Sequence, residues 1–198
     1  MDLQASRLTP LAEAPKLHPT YRAWLDQAEV ERWNAATPLG DLIEVEDVVL
    51  IAGSSPGVAA YIVNEPLPAH TIVVDDDRQH DELLRLNFDD RRGVTVLTHD
   101  PVILLDRLLE RFKPSILLLD LDCRLWRPEV IATLALPLPF LRALAVNYGH
   151  RATPERLERT LGLDTMLQTW HDEVDEDEDP LRWRRKPGTL DGWAIYTR

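Results

Sequence analysis

Val48-Val49-Leu50-Ile51-Ala52-Gly53-Ser54-Ser55-Pro56-Gly57 is the stretch on which the fold turns. Its opening residues are all aliphatic, with no period-two alternation and no room for a helix. A short run of that kind is a strand buried on both faces. Gly53 and Gly57 then allow a sharp turn and a close approach of backbone to a ligand, and the helical segment from Val58 to about Asn64 offers free N–H groups at its start. A G-x-x-x-G turn alone marks a tight turn as readily as a ligand loop.

The pattern repeats outward from this stretch. Thr71–Val74 is a second aliphatic run and ends in Asp75-Asp76-Asp77, with a helical stretch over Arg78–Phe88. Val94–Leu97 leads into an amphipathic helix over Val102–Phe112, and Ile116–Leu119 ends at Asp120. A helix is expected over Pro128–Leu136 and a fifth strand over Leu141–Val146. Thr153-Pro154 reads as a helix cap followed by proline at the first helical position, with Gly162 at the other end. Thr165–His171 and Gly192–Thr197 then follow with no helix between them, which predicts an antiparallel hairpin at one edge. The expected class is α/β, with a seven-stranded, mostly parallel sheet flanked by helices and closed by that C-terminal hairpin. Residues 1–40 stand apart as a helical extension or lid around Pro19–Trp33, and residues 41–198 form the main domain.

Composition narrows the partners. The 198 residues carry a net charge of −12, which opposes a nucleic-acid partner because phosphate binding needs a concentrated basic surface. Residues 172–179 read DEVDEDED, a run that repels itself and reads as a solvated loop. Lone Cys123 provides neither a disulfide nor a zinc-site spacing, so no metal is expected. No run approaches the roughly 20 apolar residues of a membrane span, and the first residues lack a secretory pattern. The expectation is a cytoplasmic protein without a membrane partner.

Asp75 stands 22 residues after Gly53, at the end of the second strand, where a carboxylate suits two ribose hydroxyls. The plainer reading is an acid placed at a helix N-terminus. Five βα units and a terminal hairpin resemble the layout of S-adenosylmethionine (SAM) dependent methyltransferases, whose fold is Rossmann-like. More narrowly, Ile43–Gly57 lies without gaps over the FkbM-type first motif "L-x-x-G-D-V-V-L-D-I-G-A-N-x-G". Asp75 followed by Glu82-Leu83-Leu84-Arg85-Leu86-Asn87 resembles that family's second motif, an acid before "E-L-L-x-x-N". Ile116–Cys123 is similar to "L-L-K-I-D-V-E-G", and Leu144–Tyr148 stands where the family has a late strand often ending "V-E-Y/H". The likeness covers about residues 42–150.

The resemblance implies SAM as cofactor. Gly53, Ser54, Ser55 and Gly57 would lie under its methionine end, Asp75 on the ribose, and Thr98, His99 or Asp100 near the adenine. Asp120 would line the cofactor site beside the acceptor. His99 or Asp122 would be the general base for a hydroxyl acceptor, with no choice between them, although His99 also reads as a plain loop histidine. Three departures stand against the family pattern. Its first-motif acid, which holds the cofactor's ammonium group, is Ile51; its lysine before Asp120 is Leu118; and its glycine after Asp122 is Cys123. Pro56 also removes one N–H donor from the first loop. Three functions follow from these readings. The first is O-methylation of a small molecule or sugar. The second is a catalytically inactive, methyltransferase-like scaffold that pairs with itself as a homodimer or with a protein partner. The third is a nucleotide- or NAD-binding oxidoreductase, for which G-x-G-x-x-G is missing.

Overall fold

The aliphatic runs become strands and the segments between them become helices in a computed structural model that describes residues 40–53, 59, 62–63, 68–88, 91–136, 138–147, 154–160, 184–185 and 193–197. The strands are β1 (Val48–Ala52), β2 (His70–Asp75), β3 (Val94–Thr98), β4 (Ile116–Leu119), β5 (Ala143–Asn147), β6 (Arg184–Arg185) and β7 (Trp193–Thr197). The helices are α1 (Arg78–Phe88), α2 (Pro101–Phe112), α3 (Pro128–Leu134) and α4 (Pro154–Thr160), with a 3-10 turn over Asp122–Trp126. Ala59, Ile62 and Val63 are also helical.

The strands form one sheet in the order β3-β2-β1-β4-β5-β7-β6. The first five pair in parallel, and β7 runs antiparallel between β5 and β6. The chain thus builds outward from β1 to β3 and then returns to place β4 on the other side of β1. Strand order reverses between β1 and β4, the place where open α/β sheets hold ligands.

Both faces of the sheet are covered, as the continuous aliphatic runs require. On one face Val49, Ile51, Val73, Ile116 and Leu118 pack with Ala59, Ile62 and Leu83, Leu84 and Phe88 of α1. On the other, Leu50, Ile72, Val74, Leu117 and Leu119 pack with Leu105, Leu108 and Leu109 of α2 and Val130 of α3. Local chemistry sets the helix ends. Asp77 accepts N–H bonds from Gln79 (2.8 Å) and His80 (3.4 Å) at the start of α1. Asp100 caps α2 by accepting from the Val102 N–H, with Pro101 in the first turn. At its other end Lys113 takes a left-handed φ of 44° and returns its N–H to the Leu109 carbonyl.

The edge of the sheet departs from expectation. The outer antiparallel partner of β7 is two-residue β6, which follows the acidic run rather than preceding it. The expected strand over 165–171 lies outside the described residues, as do the acidic run 172–179 and the extension over residues 1–39. The third helix stops at Leu134 rather than Leu136, and β5 begins two residues later than expected and ends one later.

At the amino ends of the strands, Asp47 ties β1, β4 and β5 together. Its buried carboxylate accepts from the Glu44 N–H (2.7 Å), the Ser115 hydroxyl (2.6 Å) and Arg142 Nε (3.0 Å), and pairs with Arg142 Nη2. Arg142 also donates to the Leu42 carbonyl. Burial alone would push the Asp47 carboxyl upward, but the bonds from Arg142, Ser115 and the Glu44 N–H, with the charge of Arg142, hold it below the usual carboxylate range. This clamp is structural, because it lies at the opposite end of the strands from the candidate site.

Candidate functional site

The strand register defines the site. Val96, Val73, Ile51, Leu118 and Ala145 form one transverse apolar row on the α1 face of the sheet. Side chains alternate faces along a strand, so the next row on that face lies two residues on. That row is Thr98, Asp75, Gly53, Asp120 and Asn147, and it is where the core gives way to polar groups. Three backbone bonds fix it: Gly53 N–H to the Val74 carbonyl (2.8 Å), Asp120 N–H to the Ala52 carbonyl (3.0 Å) and His99 N–H to the Asp75 carbonyl (3.1 Å).

Gly53 sits in the middle of the row with φ +68°, the left-handed region. A Cβ there would stand 2.6 Å from Leu121 Cδ2 and 2.7 Å from the Asp120 carbonyl oxygen. The glycine is therefore required by the turn after β4, which packs directly against it, at the point where strand order reverses.

Two carboxylates flank Gly53. Asp75 is 5% exposed; its Oδ1 accepts the Asp77 N–H (2.9 Å) and its Oδ2 lies 3.0 Å from His80 Nδ1. The Asp77 contact is a local Asx turn that aims α1 so that its first turn brings His80 back to the carboxylate. A carboxylate has about four acceptor positions, so these two bonds leave Asp75 capacity for hydroxyl donors. On the other side Asp120 is buried, and its Oδ1 accepts from Asn147 Nδ2 (2.9 Å) across the ends of β4 and β5.

A cation bridges the strand ends from the α2 side. Arg124, in the 3-10 turn after β4, places Nη1 2.8 Å from both carboxylate oxygens of Asp76 and 4.0 Å from Asp100. Arg127 lies 3.9 Å from the other oxygen of Asp100. Burial would lower the Arg124 guanidinium, but the Asp76 bond and the charges of Asp76, Asp100 and Asp75 outweigh it and raise it further, so Arg124 stays charged.

Gly53, Asp75 and Asp120 share one row, and Asp100 flanks it as the cap of α2. His99 is exposed beyond β3. Ser54, Ser55, Pro56 and Gly57 lie outside the described residues, as do the side chains of Asp122 and Cys123, whose backbone belongs to the 3-10 turn. Asp76 is the main partner of Arg124. Ile51 belongs wholly to the core, fully buried beside Ile62 and Leu118. His80, Arg124 and Asn147 are the site residues that sequence reading missed. Asn147 carried a signal in its place at the end of a late strand. The other two become legible only through folding: an Asx turn brings His80 back five residues, and the sheet brings Arg124 to Asp76 across 48 positions.

Among the described residues, no group of three or more His, Cys, Asp or Glu side chains is placed to hold a metal ion, and no described helix is long and apolar enough to cross a membrane. No model of a known protein family matches the chain, and no curated protein matches its sequence. Solved structures do match. The chain is similar to a SAM-dependent methyltransferase from Agrobacterium tumefaciens at 15% identity and TM-score 0.51, over 69% of this chain and 50% of that one. It is similar to the MycE methyltransferase of mycinamycin biosynthesis, solved with Mg and SAH, at 15% identity and TM-score 0.52, over 86% and 48%. A ribosomal protein L11 methylase from Lactobacillus delbrueckii subsp. bulgaricus matches at 10% identity and TM-score 0.55, over 84% and 77%. The chain spans about half the length of the first two. Strand order, the antiparallel β7 and these likenesses agree: the chain has the Rossmann-like fold of SAM-dependent methyltransferases.

Proposed function

We propose that this chain binds SAM across the carboxyl ends of β2, β1 and β4 and transfers its methyl group to an oxygen of a small molecule or sugar. The observation that carries the reading is the row Asp75–Gly53–Asp120 at the point of strand reversal. It sets a buried carboxylate beside the opening turn, where a ribose needs an acceptor for its hydroxyls. The MycE likeness, a methyltransferase solved with SAH, supports the cofactor.

In this reading Asp75 accepts from the ribose hydroxyls, and His80 and the Asp77 N–H hold its carboxylate in place. Asp100 lies at the adenine edge. Asp120, oriented by Asn147, lines the methionine end of the cleft. With Ile51 in the core, β1 offers no acid to the cofactor's ammonium group, so acidic chemistry at that end comes from Asp120. Bound SAM supplies an electrophilic methyl on a sulfonium; the chain's part is to hold the acceptor in line and to exclude water. His99 or Asp122 takes the proton of a hydroxyl acceptor.

A NAD-binding reading is disfavoured by the sheet, because dinucleotide-binding sheets run 3-2-1-4-5-6 without an antiparallel strand at β7's place. The scaffold reading keeps one observation in its favour, the buried apolar side chain at position 51. Calorimetry with SAM separates the two. Methyl transfer predicts micromolar binding that weakens by about tenfold or more in Asp75→Ala, which loses a charged acceptor. Absence of binding at millimolar SAM would leave the scaffold.

A further inference from the structure

Asp75 and His80 meet on the α1 face of the sheet, with His80 Nδ1 3.0 Å from Asp75 Oδ2 and the Asp77 N–H on the other oxygen. An ionised carboxylate only accepts, so the Nδ1 that faces it carries a proton. The imidazole is 23% exposed while the carboxylate is buried, so His80 exchanges protons with solvent and Asp75 feels the result. Helix α1 packs on β2 and β3. Among the described residues, β2 brings Asp75 to His80 and carries His70 at its far end, and His99 follows β3 with its N–H on the Asp75 carbonyl. Asp77 stands at the start of α1, and further along it Asp81 and Arg85 hold each other at 2.9 Å, with Arg85 also donating to Thr98 (3.1 Å). Ala59, Ile62 and Val63 of the preceding helical segment are apolar.

We infer that His80 is a positioning residue whose protonation sets the affinity of the nucleoside site: it acts through Asp75, and a nucleoside binds more tightly when the imidazole is neutral. The inference rests on the nucleoside site proposed above. With a neutral imidazole the pair keeps the full negative charge of Asp75, and ribose hydroxyls donate to a charged acceptor, the stronger kind. Histidine changes charge between pH about 5 and about 8, and a carboxylate beside it favours the charged form. Once the imidazolium forms, the pair is neutral, Oδ2 is held in an ion pair, and the carboxylate is a weaker acceptor for the ribose. By linkage a bound nucleoside favours the neutral imidazole in turn. The proton given up goes to solvent, and the Nδ1–H stays on Asp75.

The test uses the full chain and two variants, His80→Asn and His99→Asn. Asparagine at position 80 keeps an N–H donor near the place of Nδ1 and does not titrate. Adenosine and SAM are titrated against all three proteins by calorimetry at pH about 8 and about 5.5. For either ligand, the loss of affinity between the two pH values should be roughly three- to tenfold greater in the parent than in His80→Asn. His99→Asn should keep the slope of the parent. An equal slope in the parent and His80→Asn overturns the inference and leaves the SAM reading standing; a histidine that only braces α1 would give that result together with a lower melting temperature. Where His80→Asn does not fold, His99→Asn decides: a slope that survives there supports the inference, and one that disappears belongs to His99 and overturns it. A parent whose affinity is independent of pH also overturns it, and failure of the parent to bind either ligand at pH about 8 overturns both readings.

Discussion

Replacing Gly53 with alanine separates two roles that its position confounds, a demand of the turn and a demand of a ligand. At φ +68° an L residue pays about 1–2 kcal/mol for the left-handed conformation. The added methyl would also lie 2.6 Å from Leu121 Cδ2, which can rotate away, and 2.7 Å from the Asp120 carbonyl oxygen, which cannot. That carbonyl belongs to the residue whose N–H bonds the Ala52 carbonyl at 3.0 Å, so relief of the contact strains the β1–β4 junction. Overpacking of this kind costs about 1–3 kcal/mol more. The sum is roughly 2–5 kcal/mol, and in a domain of this size each kcal/mol moves the melting temperature by about 2–4 °C. Thermal unfolding followed by circular dichroism should therefore show Gly53→Ala melting about 4–20 °C below the parent. Gly93→Ala is the control, since Gly93 has φ +79° and a Cβ there would stand 2.7 Å from the Ala69 carbonyl at the far ends of β2 and β3. Both variants should lose comparable stability, and only Gly53→Ala should also lose SAM affinity. A Gly53→Ala protein melting within about 2 °C of the parent would refute the steric account.

Three further predictions concern buried charge. Arg142→Met leaves the Asp47 carboxylate buried with only Ser115 and the Glu44 N–H, and should cost about 2–4 kcal/mol in chemical denaturation; a loss under about 0.5 kcal/mol would show that the clamp does not brace the sheet. Because the folded Asp47 carboxyl lies below its ordinary range, its contribution is fully present above pH about 4 and is lost as pH falls through the lower folded value. Acid titration of stability should thus be flatter below pH about 4 in Asp47→Asn than in the parent. Ile51→Asp, which restores the acid of the resembled motif, should cost about 3–5 kcal/mol without improving SAM binding, because the side chain points into the cluster of Ile62 and Leu118. Tighter SAM binding by a stable Ile51→Asp protein would show that the position faces the ligand instead.

The fold was legible because burial on both faces leaves its mark on every central strand. Leu50 through Ala52, Ile72 through Val74 and Ile116 through Leu119 are all buried, and each is an unbroken aliphatic run. The C-terminal edge was not legible in this way. Two arginines make up β6, and a strand so short and charged carries no periodicity. Helix α2 could be read to within one residue of its start because Leu104, Leu105, Leu108 and Leu109 recur at helical spacing. The site divided along the same line. Gly53, Asp75 and Asp120 were visible because each stands at the end of an aliphatic run, and strand ends are where an open sheet exposes functional groups. Arg124 was invisible because nothing local distinguishes an arginine that reaches across β1 from one in solvent.

That division explains why the resemblance and the geometry disagree about Ile51. Motif alignment treats the residues of β1 as a string, whereas the sheet sorts them by face and row. Position 51 falls in the last apolar row, level with Val73 and Leu118, and position 53 falls in the first polar one. An acid two residues before the glycine reaches a ligand only if the strand end lifts it out of that row, and here the row is closed by Ile62 and Leu118. Asp120 stands one strand over and one row higher, with Asn147 donating to its carboxylate. Negative charge on this side of Gly53 thus stands on Asp120 of the turn after β4, at the point of strand reversal. If Asp120 serves the methionine end as proposed, Asp120→Asn should weaken SAM and leave adenosine affinity unchanged by calorimetry; an equal effect on both ligands would refute that role.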